Sequence, residues 1–392
     1  MSIAEVLLGP FVDGTRLEAS LAEILAETLH FPIPSVPLDW DHGPAWLLEL
    51  FHGPTAAFKD VGAGFLAASM SRLHATDEEP LIILVATSGD TGGAVAAAFD
   101  GREGIRVAVL FPKGRVSARQ ERQLTCWSDN VLSLEVEGSF DDCQALVKRA
   151  FVDPDLSVRY QFSSANSINV GRLLPQSTYY AYSSLQHFRQ HGRKPNYIIP
   201  TGNLGNALAC ILARDMGLPI GDIILATNAN RLIADFLDGA EWLPRASLQT
   251  LATAMDVGNP SNMERLRHAH GEQASLRGLI KSVSVADADI EQQIREQHAA
   301  LGMDICPHTA TAFQAYADLP ADARSADWIL VATAHAAKFE SIVEPLIGQR
   351  VEVPPALAEI LERPTHAVSI DPSLESLDGA LSGGFARSRA NG

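Results

Sequence analysis

An α/β fold, with mostly parallel sheets flanked by helices, is what this chain predicts, and three features of its pattern carry the prediction. Five short apolar runs recur: Leu81–Ala86, Val107–Phe111, Tyr197–Pro200, Ile223–Thr227 and Trp328–Ala332. Each is too short for a globular helix, and most are rich in isoleucine, valine and leucine, so they read as buried strands. Each ends at once in a polar or glycine-rich turn, and a helix-like stretch follows most of the turns. Repeated strand–turn–helix units build a parallel sheet covered by helices. The chain has 392 residues, more than one ordinary core holds, so two domains are expected.

The punctuation of the chain sets their limits. Residues 1–45 read as a lead. Residues 46–190 form a smaller α/β domain, which ends at the basic, turn-prone stretch His191-Gly192-Arg193-Lys194-Pro195. Residues 191–372 form a larger one, with a weaker break at Asp318–Ala326. The stretch 373–392 is rich in glycine, serine and arginine and is expected to be a mobile tail.

Composition narrows the function. A hydrophobic content of 46% with 20% charged residues is that of a soluble globular enzyme. A net charge of −17 argues against a nucleic-acid partner, which calls for a basic face. It does not oppose an anionic small molecule, because a local basic pocket can bind phosphate within an acidic protein. No apolar run approaches the length that spans a bilayer. Met1-Ser2-Ile3-Ala4-Glu5 lacks the basic region of a secretory signal, and Cys126, Cys143, Cys210 and Cys306 are far apart. Free thiols in the cytoplasm are the simplest expectation. No histidine falls in a His-Glu-x-x-His pattern, and His268-x-His270 reads as a solvated helix face, so no metal is expected.

In parallel sheets the ligand lies beyond the carboxyl ends of the strands, so the turns after the runs are the residues to inspect. The first candidate precedes them. Lys59, in Phe51-His52-Gly53-Pro54-Thr55-Ala56-Ala57-Phe58-Lys59-Asp60, follows a short apolar run at a helix start. Apolar walls favour the neutral amine, which is the nucleophile, so Lys59 is placed like a Schiff-base lysine. Standing alone, it would read as a surface lysine opening a helix.

Next come Thr87-Ser88-Gly89-Asp90-Thr91-Gly92, which offer hydroxyls, backbone donors and a carboxylate. That set suits a substrate carboxylate, although Ser88, Asp90 or Thr91 could equally be a plain helix cap. Lys113 and Arg115, in the turn after the second run, could add positive charge at the mouth of the cleft or could equally be solvated turn residues. Ser164-Ala165-Asn166-Ser167-Ile168-Asn169 leads to Arg172, whose guanidinium could grip a phosphate with two parallel bonds.

Gly202-Asn203-Leu204-Gly205-Asn206 precedes the apolar helix Ala207–Met216. Its glycines let backbone N–H groups turn toward an anion at the positive end of the helix, which makes a phosphate cradle. It is neither a Walker loop nor the dinucleotide fingerprint. Thr333, after the last run, offers a neutral hydroxyl to a ring nitrogen.

Taken together these segments resemble the threonine synthases, pyridoxal-phosphate enzymes of the tryptophan-synthase-β-like (type II) fold. The resemblance rests on His52-Gly53-Pro54-Thr55 with Phe58-Lys59-Asp60, on Thr87–Gly92, on Ser164–Asn169 with Arg172 and on Gly202–Asn206. It rests also on Ala254-Met255-Asp256-Val257-Gly258-Asn259-Pro260-Ser261-Asn262 and on Thr333-Ala334-His335 with Lys338-Phe339. It covers the chain from about Phe31 to Glu352. It implies a two-domain type II fold and pyridoxal 5'-phosphate as the cofactor.

The same resemblance assigns roles. Lys59 would bond the cofactor and act catalytically. Gly202, Asn203, Leu204, Gly205 and Asn206 would hold its phosphate, Asp90 would lie near its 3-hydroxyl and Thr333 would face its ring nitrogen. Ser88, Thr91, Asn166, Asn169, Arg172 and Lys113 would bind substrate. The implied reaction turns O-phospho-L-homoserine and water into L-threonine and phosphate, in a monomer or homodimer.

Leu204, Asn206 and Ala336 depart from the Phe, Asp and Pro common in the family. The family's N-terminal Ser-Thr-Arg-Gly segment has no counterpart, so the lead reads as shortened. The alternatives are another type II lyase, such as a serine/threonine dehydratase, and a catalytically weak cofactor-binding homologue.

Overall fold

The computed structural model describes residues 2–74, 79–87 and 89–385. Their strands are β1 (Ser35–Pro37), β2 (Ala45–Glu49), β3 (Leu81–Ala86), β4 (Ile105–Pro112), β5 (Val131–Val136), β6 (Gln161–Ser164), β7 (Asn196–Pro200), β8 (Ile223–Thr227), β9 (Lys281–Ser284), β10 (Trp328–Ala332) and β11 (Val368–Ile370). All five expected runs are strands, as β3, β4, β7, β8 and β10. They form two sheets, ordered β1-β2-β10-β7-β8-β9 and β11-β5-β4-β3-β6. Apart from the antiparallel pair β1–β2, every ladder is parallel.

Contacts divide the chain into two compact units. The first comprises Met1–Ile3, Phe31–His52 and Leu173–Val353 and carries the six-stranded sheet. The second comprises Ala4–His30, Gly53–Arg172 and Pro354–Gly392 and carries the five-stranded sheet. The units are therefore interleaved in sequence. The turn at His191, expected to separate domains, instead closes the helix Ser177–His191 inside the first unit. Gly192 caps that helix at φ 71°, a conformation open to glycine at little cost.

The second unit shows why its strands read as continuous apolar runs. Successive side chains of a strand point to opposite faces. Ile83, Val85, Val107 and Val109 pack on one side against Ala63, Ala67, Ala94 and Phe99. Ile82, Leu84, Ala108 and Leu110 pack on the other against Leu146, Val147, Leu377 and Leu381. With both faces covered, no polar alternation survives. On the first face the helices Lys59–His74 and Asp90–Phe99 pack against each other.

The stretch expected to be a mobile tail begins with a helix, Leu374–Gly384, with Ser373 as its N-cap. Leu377, Leu381 and Phe385 are buried in the second core, so an apolar stripe outweighs the glycine and serine content. Residues 386–392 lie outside the described residues.

Candidate active site

The turn that delivers Lys59 is held by Asp60. This buried carboxylate accepts the backbone N–H of Thr55 at 2.9 Å and the Thr55 hydroxyl at 2.5 Å. Gly53 must be glycine, because a Cβ there would stand 2.5 Å from Asp60 Oδ2. Ala56 adopts φ 53° within the same turn. Lys59 then opens the helix Lys59–His74, its side chain only 13% exposed and its Nζ 5.6 Å from the centre of the Phe58 ring. Its Nζ lies 3.9 Å from Asp90 Oδ2. The apolar setting read from the sequence is present, with a carboxylate facing the amine.

Asp90 is buried at the first position of the helix Asp90–Phe99. The turn before it is stapled by Thr87, whose hydroxyl oxygen accepts from Gly89 N at 3.0 Å and Gly92 N at 2.9 Å. Thr91 is half-buried in the first turn of the same helix, and Ser88 lies outside the described residues.

Asn166 and Asn169 are half-buried in the turn after β6. The Asn169 amide serves the turn itself. Its Nδ2 donates to Ser164 O at 3.0 Å and its Oδ1 accepts from Gly171 N at 3.0 Å. Arg172 is 2% exposed, and its Nη1 donates to Ala165 O at 2.6 Å. Burial pulls its pKa down to about 10, with the Asp60 carboxylate opposing the shift, so the guanidinium stays charged at neutral pH. Lys113 is exposed and engaged by Glu137 at 2.5 Å and Ser369 Oγ at 3.2 Å. The structure thus gives Lys113 a protein carboxylate, where the sequence left it as added charge for a ligand or a solvated turn residue.

The first unit carries the glycine loop. Gly202 packs so tightly that a Cβ would stand 2.7 Å from Met255 Cα. Leu204 takes φ 63° and starts the helix Gly205–Asp215 without a side-chain cap. The first-turn N–H groups are therefore left to something other than a capping side chain. Asn203 Oδ1 accepts from Ser261 N at 2.6 Å and Ser261 Oγ at 2.9 Å, and Asn262 Nδ2 donates to Asn203 O at 2.9 Å. The segment Ala254–Asn262 is therefore the brace of the loop. Asp256 in turn ties that segment to Thr250, Asn228 and Asn230. Burial raises its pKa to about 6.

Asn206 is buried, and its Oδ1 accepts from the hydroxyls of Tyr179 and, at 2.9 Å, Tyr180. Thr333 is buried directly after β10. Near it, His335 Nδ1 accepts from Ala337 N at 3.1 Å, and the ring meets Phe51 edge-on with centroids 5.2 Å apart. Burial pushes the His335 pKa down to about 4, aided by His52, so the imidazole is neutral at pH 7.

The loop fits a phosphate-bearing cofactor on its own chemistry. Thr201 Oγ1 and Asn206 Nδ2 are buried without a hydrogen-bond partner among the described residues. Such groups cost free energy unless a ligand satisfies them. The loop between them is kept bare of side chain at Gly202 and ends at an uncapped helix start, the arrangement that receives anions. Sequence reading missed Thr87, Thr201, the tyrosine pair and His335. Thr87, Thr201 and His335 stood within segments already under inspection, whereas nothing in the sequence pointed to Tyr179 or Tyr180.

Comparison with known proteins agrees with this chemistry. The family described as pyridoxal-phosphate dependent enzyme matches residues 30–334, and threonine synthase, C-terminal, matches residues 309–379. Threonine synthase from Serratia marcescens is 37% identical, over 96% of this chain and 86% of its own length. That from Escherichia coli (strain K12) is also 37% identical, over 91% of this chain and 82% of its own. The crystal structure of threonine synthase from Escherichia coli superposes with a TM-score of 0.86 at 35% identity, covering 97% of this chain and 88% of that one. A pyridoxal-phosphate-bound threonine synthase from Brucella melitensis gives 0.85 at 31% identity, covering 98% and 88%. The chain belongs to the threonine synthase family of pyridoxal-phosphate-dependent enzymes and has their type II fold.

Proposed function

We propose that this protein converts O-phospho-L-homoserine and water to L-threonine and phosphate. The observation that carries the reading is the Lys59 amine, sheltered at a helix start with its Nζ 3.9 Å from a buried carboxylate, in a chain of this family. We read the enzyme as cytoplasmic and as a monomer or homodimer. Among the described residues no helix is long and apolar enough to cross a membrane.

When bound, pyridoxal 5'-phosphate supplies the electron sink for the reaction. Lys59 is the residue that would hold it, through its Nζ amine. The Lys59 amine would take a proton from the substrate Cα and one from Cβ and would return protons to Cγ and Cα, which balances loss of phosphate from Cγ and addition of water at Cβ, the water's second proton leaving with the phosphate. The N–H groups of Gly202 to Asn206 would hold the cofactor phosphate, with Thr201 Oγ1 and Asn206 Nδ2 as further donors. Asp90 would lie near the 3-hydroxyl. Thr333 would offer the ring nitrogen a neutral hydroxyl, which holds a proton there less firmly than a carboxylate does.

Ser88, Thr91, Asn166 and Asn169 orient the substrate, and Arg172 receives its phosphate. Lys113 adds positive charge only where Glu137 releases it. The test is the visible spectrum of the purified holoenzyme before and after borohydride, alongside phosphate release from phosphohomoserine. Lys59→Ala is expected to lose the reducible absorbance and turnover together. Normal turnover by that variant would refute the assignment.

A further inference from the structure

A side chain on a separate helix reaches the carboxylate of Asp90. Gln120 is in the helix Ala118–Thr125 and is 5% exposed. Its amide orientation is fixed. Ser117 N donates to Oε1 at 3.3 Å while the Ser117 hydroxyl accepts from Gln120 N at 3.2 Å, closing a capping box. With Oε1 so engaged, Nε2 points the other way and donates to Asp90 Oδ1 at 3.5 Å. The second oxygen of the same carboxylate, Oδ2, is the one 3.9 Å from Lys59 Nζ.

The 87–92 turn is shaped around this amide. A Cβ on Gly89 would stand 2.5 Å from Gln120 Nε2, and Gly89 takes φ 143°, a region that residues with side chains rarely enter. The helix that carries Gln120 is itself anchored. Arg122 donates from Nε to Leu361 O at 2.8 Å and from Nη2 to Arg363 O at 3.3 Å, and Ser133 Oγ donates to Leu124 O at 2.6 Å.

We propose that Gln120 is a positioning residue for the reaction. Fixed by its own helix cap, it holds one oxygen of Asp90 so that the other faces the catalytic amine. The inference rests on the reading of Lys59 given above and adds a component that acts through Asp90. A donor held by a rigid helix helps fix which way the Asp90 carboxylate faces, and geometry preset in this way enters kcat and not substrate affinity.

The test compares three holoenzymes with the parent. Gln120→Met keeps the side-chain length and removes both the donor and the acceptor. Gln120→Glu keeps an acceptor for Ser117 N and removes the donor toward Asp90. Ser139→Ala is a control in the same unit. Ser139 caps the helix Phe140–Val152 in the same kind of box but forms no part of the 87–92 turn.

For both Gln120 variants we expect kcat to fall about tenfold with KM within twofold, the effect of a lost hydrogen bond to a charged group. We also expect the ratio of the bound cofactor's two absorbance bands at one fixed pH to change at least twofold. Ser139→Ala should lower the melting temperature and leave kcat and the band ratio as in the parent. Parent-like kcat and band ratio in a folded Gln120 variant would overturn the proposal. So would a Ser139→Ala enzyme that shifts both as far, because general loosening would then explain the effect. Should one Gln120 variant not fold, the other decides. If Lys59→Ala keeps the parent absorbance, the underlying reading of the lysine has failed, an outcome distinct from inert Gln120 variants.

Discussion

Two non-glycine residues among those described take positive φ, Ala56 at 53° and Leu204 at 63°. One stands three positions before Lys59 and the other begins the helix behind the glycine loop. Each costs about 1–2 kcal/mol of backbone strain, which persists only where the surroundings enforce it. Gly202 belongs to the same class of constraint. In Gly202→Ala the new Cβ meets backbone, Met255 Cα at 2.7 Å, which cannot swing aside as a side-chain end would. The variant should retain cofactor at least tenfold more weakly, read as visible absorbance surviving dialysis, while its melting stays cooperative. Retention equal to the parent would show that the loop does not need its bareness.

Arg172 decides between two roles. As the receptor of substrate phosphate, Arg172→Ala should raise KM at least tenfold and leave the cofactor absorbance intact. As a brace for Asp60, the same change should lower stability and disturb the lysine turn with little change in KM. Lys59, Asp90 and the glycine loop were legible in the sequence because each lies in one contiguous segment after a strand or apolar run. Gln120 was not, because its partner Asp90 is 30 residues away and only the packing of two helices brings them together. The burial of Arg172 and the engagement of Lys113 were hidden for the same reason, since a cation in a sequence carries no mark of its partner.

At the scale of elements the sequence revealed most of the interior and concealed the margins; the internal strands β2 and β5 were not among the runs, and Ser133 and Glu135 interrupt the apolar pattern of β5. The five runs it showed include the three strands buried most completely, β3, β8 and β10. It missed all four edge strands. β1, β6, β9 and β11 are short, contain Ser35, Pro37, Ser163, Ser164, Lys281 and Ser369, and pair on one side only. Short polar edges discourage pairing with other chains, and the same property hides them from a search for apolar runs.

The C-terminal helix was concealed for another reason, because its polar outer face and glycines dominate its composition. Its removal is nevertheless expected to be damaging. A chain ending at residue 372 would strip Leu377, Leu381 and Phe385 from the core they share with Leu132, Leu146 and Ile370. Burial of three such side chains is worth on the order of 5 kcal/mol. Thermal melting should show the second unit unfolding well below the parent. A truncated chain that melts within a degree of the parent would mean that the helix contributes no stability.

At the scale of the whole molecule, two half-buried groups in the first unit act on acid stability with opposite sign. His335 has its pKa lowered to about 4 from 6.5. The folded state therefore binds fewer protons than the unfolded chain between those values. The stability this contributes is complete above pH 6.5 and is lost as pH falls toward 4, about 3 kcal/mol in all. Asp256 is raised to about 6 from 3.8, so its folded state binds more protons in nearly the same window. Its contribution is complete below pH 3.8 and lost as pH rises through 6. With allowance for its partial exposure this is about 2 kcal/mol.

On acidification from pH 6.5 the two changes therefore offset each other, and single replacements should separate them. His335→Asn keeps an oxygen acceptor for Ala337 N without the titration, so its stability should fall less steeply than the parent's between pH 6.5 and 4. Asp256→Asn removes the proton uptake that cushions acidification, so its stability should fall more steeply over the same range. Urea unfolding of the holoenzyme at half-unit pH steps measures both slopes. The expected order, Asp256→Asn steepest and His335→Asn shallowest, depends on differences from the parent and not on the absolute stability of any variant. Parallel curves for all three would mean that neither group changes its proton affinity on folding, and the acid response would then belong to the exposed carboxylates.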